Sequence, residues 1–377
     1  MKIAIPKEKA KDEPRVAASP ETVTKFTALG VEVEVQNGAG IASGITDEAY
    51  KAAGATLVKS AKTLLGGADI VLKIRTPALD EIAAMKKGAI VMAIMNAGDN
   101  EKAVEAMAEA GLTGFAMEWM PRITRAQSMD VLSSQSNLAG YRAVIDAAVN
   151  YRHAMPMMMT AAGTVAPARV FVMGVGVAGL QAIATARRLG AIVSATDVRS
   201  AAAEQVESLG ASFVMVETDE EGETAGGYAK EMSEDFKKRQ AVLVAETIAK
   251  QDIVITTALI PGRPAPRLVT REMVESMKPG SVIVDLAIER GGNCELAKPD
   301  KIVDHNGVKI VAYSNVPGKV AADASSLYAR NLYNFTATMI DPESKALAID
   351  WDDEIITGTA LTRDGKIIHP LLTGEDS

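Results

Sequence analysis

Three glycines near the middle of the chain are spaced as a phosphate-binding turn requires. Gly174, Gly176 and Gly179 form the pattern GxGxxG directly after Val170–Met173, a short apolar run typical of a strand covered on both faces. In such a turn one glycine makes the tight bend, one lets the backbone approach a pyrophosphate, and one lets helix and strand pack closely. The first N–H groups of the following helix would point at that phosphate. The pattern therefore predicts a turn that binds a dinucleotide phosphate.

An aspartate follows at the distance expected of a ribose-binding acid. The second predicted strand, Ile192–Thr196, ends at Asp197, whose carboxylate can accept both ribose hydroxyls of NAD and repels a 2′-phosphate. Arg199 could argue for NADP, although a single arginine there is more often a solvated loop charge. Strand, glycine turn, helix and acid together favour NAD. The alternative is a glycine-rich turn in an α/β fold that binds nothing.

The elements that must position this turn alternate as in two doubly wound parallel sheets, so the fold class predicted is α/β with two Rossmann-like domains. Before residue 120, five apolar runs are predicted strands: Lys2–Ile5, Val31–Val35, Ile70–Ile74, Ala89–Ile94 and Thr113–Ala116. Four segments between them have helical patterns: Pro20–Leu29, Asp47–Ala53, Leu79–Met85 and Glu101–Ala110. After Asp197, further strands are expected in DIVITTALIPG, KPGSVIVDLAIERGGNCE and KIVAYSNVPG.

The two domains are predicted to be interleaved along the chain. An irregular loop after Pro121 leads into a long helix, from about Ser136 to Tyr151, which carries the chain into the second domain. A helical pattern over Val320–Thr338 returns it to the first. We therefore expect a discontinuous N-terminal domain, residues 1–135 plus 325–377, and a nucleotide-binding domain, residues 136–324.

A charged stretch of 23 residues, TDEEGETAGGYAKEMSEDFKKRQ at 218–240, interrupts the second domain. Loops of this length in compact domains are usually functional or disordered. Gly226, Gly227 and Tyr228 supply a flexible pair beside one aromatic ring, as a lid might. A solvated surface excursion with an exposed helix fits the residues equally well.

Composition excludes several classes of function. The 377 residues are 48% hydrophobic and only 4% aromatic, with a net charge of −8, so there is no basic field for nucleic acid. No apolar window is long enough to insert into a membrane, and the charged N-terminus does not resemble a secretory signal. The single cysteine, Cys294, fits a reducing cytoplasm. Three histidines without ligand spacing argue against a metal site.

Several long motifs resemble a known family. IPKEKAKDEPRVAASPETV, GVGVAGLQAIATARRLGA and VDLAIERGGNCE resemble alanine dehydrogenases and the related NAD(H)-binding domain of proton-translocating nicotinamide nucleotide transhydrogenases. Four others resemble the transhydrogenases specifically: PRITRAQSMDVLSSQSNLAGYRAVIDAA, MMMTAAGTV, ETAGGYAKEM and ITTALIPGRPAP. The resemblance covers nearly the whole chain.

The resemblance implies roles for individual residues. An Arg–Gln–Asp loop lies beside the nicotinamide in these enzymes, and the matching catalytic residues here are Arg122, Gln127 and Asp130, followed by Ser133. The family's mobile loop matches the segment around Tyr228, which favours the lid. The cofactor-binding residues it implies are Gln127, Ser128, Met129, Asp130, Gly174, Gly176, Val177, Gly179, Asp197, Val198, Arg199, Gly227, Tyr228, Gln240 and Leu259.

Departures from the alanine dehydrogenase pattern separate two candidate functions. Those enzymes need a lysine and a histidine in the first domain, but no histidine here precedes His153, and Asn96 and Arg75 stand where the two would be expected. Hydride transfer between two nicotinamides needs close approach and exclusion of water rather than an acid or base. We therefore expect a transhydrogenase. An alanine-type amino-acid dehydrogenase is the alternative, and an NAD-sensing module is a third possibility.

The resemblance also implies partners and a location. The expected assembly is a homodimer that meets an NADP(H)-binding beta subunit and a separate, membrane-spanning polypeptide of the alpha subunit. Because the chain ends soon after HPLLTGEDS, it resembles the split form of the enzyme, in which the NAD(H)-binding domain is its own polypeptide. It would lie on the cytoplasmic face of the bacterial inner membrane, without inserting into it.

Overall fold

The computed structural model of the chain describes residues 1–216, 233–260, 263–341 and 343–374. These residues divide into two compact units, Met1–Gln135 with Gly318–Ser377, and Ser136–Pro317. The second crossing thus lies at Gly318, where the sequence predicted 325. It falls within a 3₁₀ turn, Val316–Val320.

Strands alternate with helices along most of the chain. The strands are β1 (Lys2–Ile5), β2 (Glu32–Gln36), β3 (Thr56–Val58), β4 (Ile70–Arg75), β5 (Ile90–Ile94), β6 (Thr113–Ala116), β7 (Met158–Thr160), β8 (Gly163–Val165), β9 (Arg169–Met173), β10 (Ile192–Thr196), β11 (Ser212–Phe213), β12 (Ile253–Thr256), β13 (Val282–Asp285), β14 (Lys301–His305), β15 (Val308–Ala312), β16 (Ala360–Arg363) and β17 (Lys366–Ile367). The helices are α1 (Pro20–Ala28), α2 (Asp47–Ala52), α3 (Ala61–Gly67), α4 (Leu79–Ile82), α5 (Glu101–Glu109), α6 (Val131–Asn150), α7 (Val177–Arg188), α8 (Ala202–Ser208), α9 (Glu234–Ile248), α10 (Arg271–Ser276), α11 (Ala321–Ala337), α12 (Glu354–Thr357) and α13 (Pro370–Thr373).

The first unit is built on an eight-stranded sheet in the order β17-β16-β6-β5-β4-β1-β2-β3. Strands β1 to β6 are parallel, whereas β16 and β17 are added antiparallel at one edge. The side-chain hydroxyl of Thr362, on β16, donates to Leu112 O at 2.9 Å and accepts from Gly114 N at 3.0 Å. This edge is therefore tied to β6 through a side chain as well as through the backbone.

The second unit is built on a seven-stranded sheet in the order β11-β10-β9-β12-β13-β15-β14. All neighbours are parallel except β14 and β15. The chain leaves β9 towards β10 and returns to β12 on the other side, so the strand order reverses at β9. Ligands of open α/β sheets bind at such a switch point, beyond the carboxyl ends of the strands.

Both sheets are covered on both faces, as the uninterrupted apolar strands predicted. In the first unit Ile70, Leu72 and Ile74 of β4 pack into one core, and Val71 packs into the core of the other face. In the second unit Val170 and Val172 of β9 face one core, while Phe171 and Met173 face the other. The predicted α/β class with two doubly wound, Rossmann-like sheets is confirmed, with antiparallel strands added at the edges.

Two expectations about the segment between the sheets were wrong. The long helix α6 begins at Val131, five residues before the predicted start, so Ser133 lies in a helical turn and not in a loop. Asp130 explains the early start, because its carboxylate accepts from Ser133 N at 2.9 Å and caps the helix. The predicted linker around Thr160 is instead the antiparallel hairpin of β7 and β8.

Candidate functional site

The glycine turn after β9 has the geometry that its sequence predicts. Gly174 has φ +98°, a left-handed conformation that favours glycine. A Cβ on Gly179 would lie 1.9 Å from Gly174 O, so only glycine lets α7 start this close to the strand. The hydroxyl of Thr257, which follows β12, donates to the same carbonyl at 3.0 Å. The turn is thus fixed from both sides of the switch point.

Gly176 is the member of the trio that leaves room for a ligand. It is exposed, and a Cβ built on it would meet no atom within 4 Å. It also forms the N-cap of α7, and no side chain caps the helix there. The first N–H groups of α7, starting at Val177, therefore face open space at the positive end of the helix dipole. The turn fits a dinucleotide pyrophosphate.

The acid at the end of β10 is fully engaged by protein donors. Asp197 Oδ2 accepts from Val175 N at 2.7 Å and from Arg199 Nη2 at 3.0 Å. Its Oδ1 accepts from Arg199 N at 3.0 Å and from Arg199 Nε at 2.9 Å. Arg199 is therefore not the solvated loop charge that the sequence favoured. A ribose diol would have to take the place of the guanidinium to reach this carboxylate.

Electrostatics keep Asp197 ionised. Burial acts to raise the pKa of this carboxyl, but the hydrogen bonds from Arg199 and Val175 outweigh burial and hold the pKa below its usual range. The guanidinium also donates to Val175 O at 3.1 Å, so one side chain connects the acid to the glycine turn.

Other predicted cofactor residues lie at the same edge of the sheet. Val198 is partly exposed directly after Asp197, and Leu259 is 52% exposed after β12. Gln240, on α9, donates to Thr196 Oγ1 at 2.9 Å and so reaches the end of β10. Gly227 and Tyr228, with residues 218–232 of the predicted mobile loop, lie outside the described residues. Residues 234–240 of that loop form the start of α9.

Sequence reasoning missed Asn293, which organises the segment after β12. This fully buried side chain accepts from Ala258 N at 3.1 Å and donates to Ala258 O at 2.9 Å and Pro266 O at 2.8 Å. Nearby Asp285 accepts from Ala287 N and Cys294 N, both at 2.9 Å. Burial outweighs these bonds and raises the pKa of Asp285. The GGNC motif was the available signal for Asn293, because an asparagine beside two glycines is suited to bonding backbone groups.

The predicted catalytic residues lie together in one segment of the first unit. Residues Thr124–Met129 form a 3₁₀ helix directly before α6. Ala126 and Met129 are buried in the core, whereas Arg122, Gln127 and Ser128 are exposed. The Gln127 side-chain amide has no hydrogen-bond partner among the described residues. The segment is anchored by apolar residues and presents polar ones.

A buried ionic network occupies the region where a dehydrogenase would need its substrate residues. The Glu13 carboxylate, 1% exposed, accepts from Arg15 Nη2 at 2.6 Å and from Arg75 Nε at 2.8 Å. Burial opposes ionisation of Glu13, but the two guanidinium groups outweigh it and lower the pKa. Arg15 also donates to Gln135 Oε1 at 2.8 Å. Both arginines are thus engaged by the chain's own carboxylate.

Neither a metal cluster nor a membrane-spanning helix occurs in the part of the chain that the structure describes. Its His, Cys, Asp and Glu side chains form no group of three or more placed to hold a metal ion. Its helices include none with the length and apolar character needed to cross a membrane.

Fold and turn define a dinucleotide-binding α/β protein, and comparison with known proteins identifies its family. The chain belongs to the alanine dehydrogenase/PNT family, whose N-terminal domain model matches residues 4–139 and whose C-terminal domain model matches residues 143–370.

Within that family the chain is similar to transhydrogenase alpha subunits. It is 59% identical over 382 residues to the first of the polypeptides that make up NAD(P) transhydrogenase subunit alpha in Rhodospirillum rubrum, covering 100% of both chains. The crystal structure of a transhydrogenase from Sinorhizobium meliloti superposes with a TM-score of 0.90 at 58% identity, covering 98% of this chain and 100% of that one. An L-alanine dehydrogenase structure gives a TM-score of 0.85 at 25% identity, with coverage of 99% and 98%. The resemblance inferred from the motifs is confirmed.

Proposed function

We propose that this chain is the NAD(H)-binding subunit of a proton-translocating nicotinamide nucleotide transhydrogenase. Hydride would pass directly between NADH bound here and NADP⁺ on a partner subunit, and the transfer would be coupled to proton movement across the membrane. The nucleotide turn carries this proposal, since its exposed Gly176 and uncapped helix fit a pyrophosphate. The end-to-end similarity to a transhydrogenase alpha-subunit polypeptide supports it.

The proposed division of labour separates binding from transfer. The turn at Gly174–Gly179 and the acid Asp197 would hold the phosphates and the ribose. Arg122, Gln127, Asp130 and Ser133 would contact the nicotinamide end and keep it oriented. Exclusion of water and correct distance between the two rings suffice for hydride transfer, so no acid or base is required.

Gln127→Asn tests the role of the exposed amide. Shortening the side chain by one methylene keeps its polarity but withdraws the amide from the nicotinamide. We expect the NADH dissociation constant to change less than about threefold, while single-turnover hydride transfer to a partner's NADP⁺ slows about 10- to 100-fold. Stopped-flow absorbance would measure the rate, and fluorescence titration the affinity. Weak NADH binding with a normal rate from the bound fraction would contradict this role.

The competing function is an alanine-type dehydrogenase. Arg15 and Arg75 are engaged by buried Glu13, and Asn96 offers no titrating imidazole, so the chain lacks a ready acid–base pair in this region. We expect the purified protein to show no steady oxidation of NADH with pyruvate and ammonia. Sustained turnover in that assay would overturn the transhydrogenase proposal in favour of the dehydrogenase.

We further propose that the chain forms a homodimer. The hairpin of β7 and β8 is exposed along both strands, and Met157, Met158 and Met159 leave 58%, 44% and 77% of their surface to solvent. A two-stranded hairpin is marginally stable alone in water, and exposed apolar patches mark interaction sites. A second copy of the chain is the partner that the resemblance implies.

The remaining partners follow from the proposed reaction. An NADP(H)-binding beta subunit would supply the second nucleotide, and a separate membrane-spanning alpha polypeptide would complete the proton path. The chain would then lie on the cytoplasmic face of the bacterial inner membrane. The segment 218–240 would close over bound NADH as a mobile loop. Unchanged trypsin cleavage at Lys230 on addition of NADH would contradict that closure.

A further inference from the structure

We propose that Asn331 is a positioning residue for the segment that carries Gln127. This inference rests on the proposed function, because it concerns the geometry of hydride transfer. Asn331 lies on α11, far along the chain from the segment it contacts, and it is 7% exposed. No motif singled it out.

One carbonyl of the segment accepts from two asparagines of α11. The Asn331 amide donates to Ser128 O at 2.8 Å, and the Asn334 amide donates to the same oxygen at 3.1 Å. Ser128 directly follows Gln127, so these bonds fix the peptide unit next to the proposed nicotinamide contact. Asn334 is exposed, and its longer bond competes with water, so Asn331 carries most of the restraint.

The other end of the Asn331 side chain holds the helix that follows. Asn331 Oδ1 accepts from Ser134 Oγ at 2.8 Å, in the first turn of α6. A single buried amide therefore joins the carbonyl of the 3₁₀ helix to the start of α6, on either side of Asp130. Nearby Gln135 donates to Ala324 O at 3.0 Å, which ties the same turn of α6 to the start of α11.

The apolar anchors of the segment cannot supply this restraint. Ala126 and Met129 are buried in the core and keep the segment attached, but apolar contacts are not directional. The hydrogen bonds of Asn331 fix its rotation, and with it the direction of the Gln127 side chain. A displacement of about 1 Å far from the reacting atoms can cost about 100-fold in rate. Removing the restraint should therefore slow transfer without loosening NADH.

Asn331→Asp is the sharpest variant, since it preserves shape and places a carboxylate oxygen where the N–H donor lies. Ser134→Ala removes the partner of the other end and is the milder second variant. Arg330→Ala is the matched control on the same helix, because it removes only the exposed ion pair with Glu21. Asn334→Ala should give an effect between these.

The variants are assayed for single-turnover hydride transfer with an NADP(H)-binding domain, for NADH affinity, and for amide exchange over residues 124–130. We expect Asn331→Asp to slow transfer about 10- to 100-fold with a dissociation constant within about threefold of wild type. Exchange over 124–130 should accelerate in Asn331→Asp and Ser134→Ala and stay normal in Arg330→Ala. Wild-type rates or unchanged exchange in folded Asn331→Asp or Ser134→Ala would overturn the proposal.

The proposed function and the positioning role of Asn331 fail on different results. If the wild-type chain transfers no hydride with any partner, the proposed function falls, and the positioning role for hydride transfer falls with it. If the wild-type chain transfers hydride and the asparagine and serine variants do so equally well, only the positioning role falls.

Discussion

Asp197 shows how the proposed ribose site is arranged at the scale of one residue. Its two oxygens accept four N–H donors, three of them from Arg199. The sequence predicted the acid and its place at the end of β10, because strand, turn and acid follow one another at short range. It did not predict the pairing with Arg199, since two loop residues can turn towards each other or towards solvent.

Asp197→Asn tests the acid in the proposed ribose site. The amide cannot accept two hydroxyl hydrogen bonds with the strength of a carboxylate, so we expect NADH affinity to fall about 10- to 100-fold, or about 1.4 to 2.7 kcal/mol. Because hydrogen bonds hold the pKa of Asp197 below its usual range, the acid stays ionised between about pH 6 and pH 8. Titration calorimetry should therefore give the same loss at both pH values. A loss that disappears at pH 6 would mean that the carboxyl titrates there and would contradict this account.

Asn293 and Asn331 mark the limit of sequence reasoning about single residues. Each is buried and bonds backbone groups far away along the chain, 27 to 35 residues for Asn293 and 203 for Asn331. Local spacing indicates a turn or a helix face, but it does not indicate which distant carbonyl a buried amide will meet.

The elements were predictable where both of their ends carry local signals. Strand β10 and helix α2 have the predicted start, because a clear apolar run or an N-cap residue marks each. Helix α6 was not predicted to start at Val131, since Asp130 looked like part of a polar loop. Strands β3, β16 and β17 were missed because each has four residues or fewer, and their pairing partners decide their state.

The glycine turn gives a paired prediction at the scale of the element. Gly179→Ala would bring a Cβ within 1.9 Å of Gly174 O and should cost about 3 kcal/mol of the free energy of unfolding. Gly176→Ala meets open space at φ −80° and should stay within about 1 kcal/mol of wild type, yet its methyl group would occupy the space of the phosphate. Urea unfolding and NADH titration would separate the two effects.

The two glycine variants should fail in opposite assays. We expect Gly179→Ala to lose stability, and Gly176→Ala to bind NADH at least about tenfold more weakly while folding normally. Normal NADH affinity in Gly176→Ala would mean that the pyrophosphate does not approach this turn.

At the scale of the whole molecule, the hairpin of β7 and β8 predicts how two copies meet. Met159→Glu places a charge on its most exposed apolar side chain, and desolvating a charge at an apolar interface is costly. We expect the dimer dissociation constant to rise about tenfold or more, measured by analytical ultracentrifugation. Leu371→Glu is the matched control, because Leu371 is 72% exposed on α13, in the first unit. Equal dimer stability in Met159→Glu and wild type would place the interface elsewhere.

The fold of the whole molecule was more accessible to sequence than its assembly. Parallel sheets follow from alternating apolar strands and helices, and the return of the chain to the first unit follows from a helical pattern near its end. Partners leave weaker marks, since an exposed methionine such as Met159 reads in sequence like a core residue. The predicted linker around Thr160 could not show that its methionines would stand on an exposed hairpin.

The proposed function requires that this chain donate hydride directly to a nucleotide bound by another protein. To test this, the purified chain is loaded with NADH carrying deuterium on the transferring C4 position and mixed with an NADP(H)-binding transhydrogenase domain loaded with NADP⁺. We predict rapid formation of deuterated NADPH that requires both proteins and loses no label to water. No transfer from protein shown to bind NADH, or loss of the label to solvent, would contradict direct transfer.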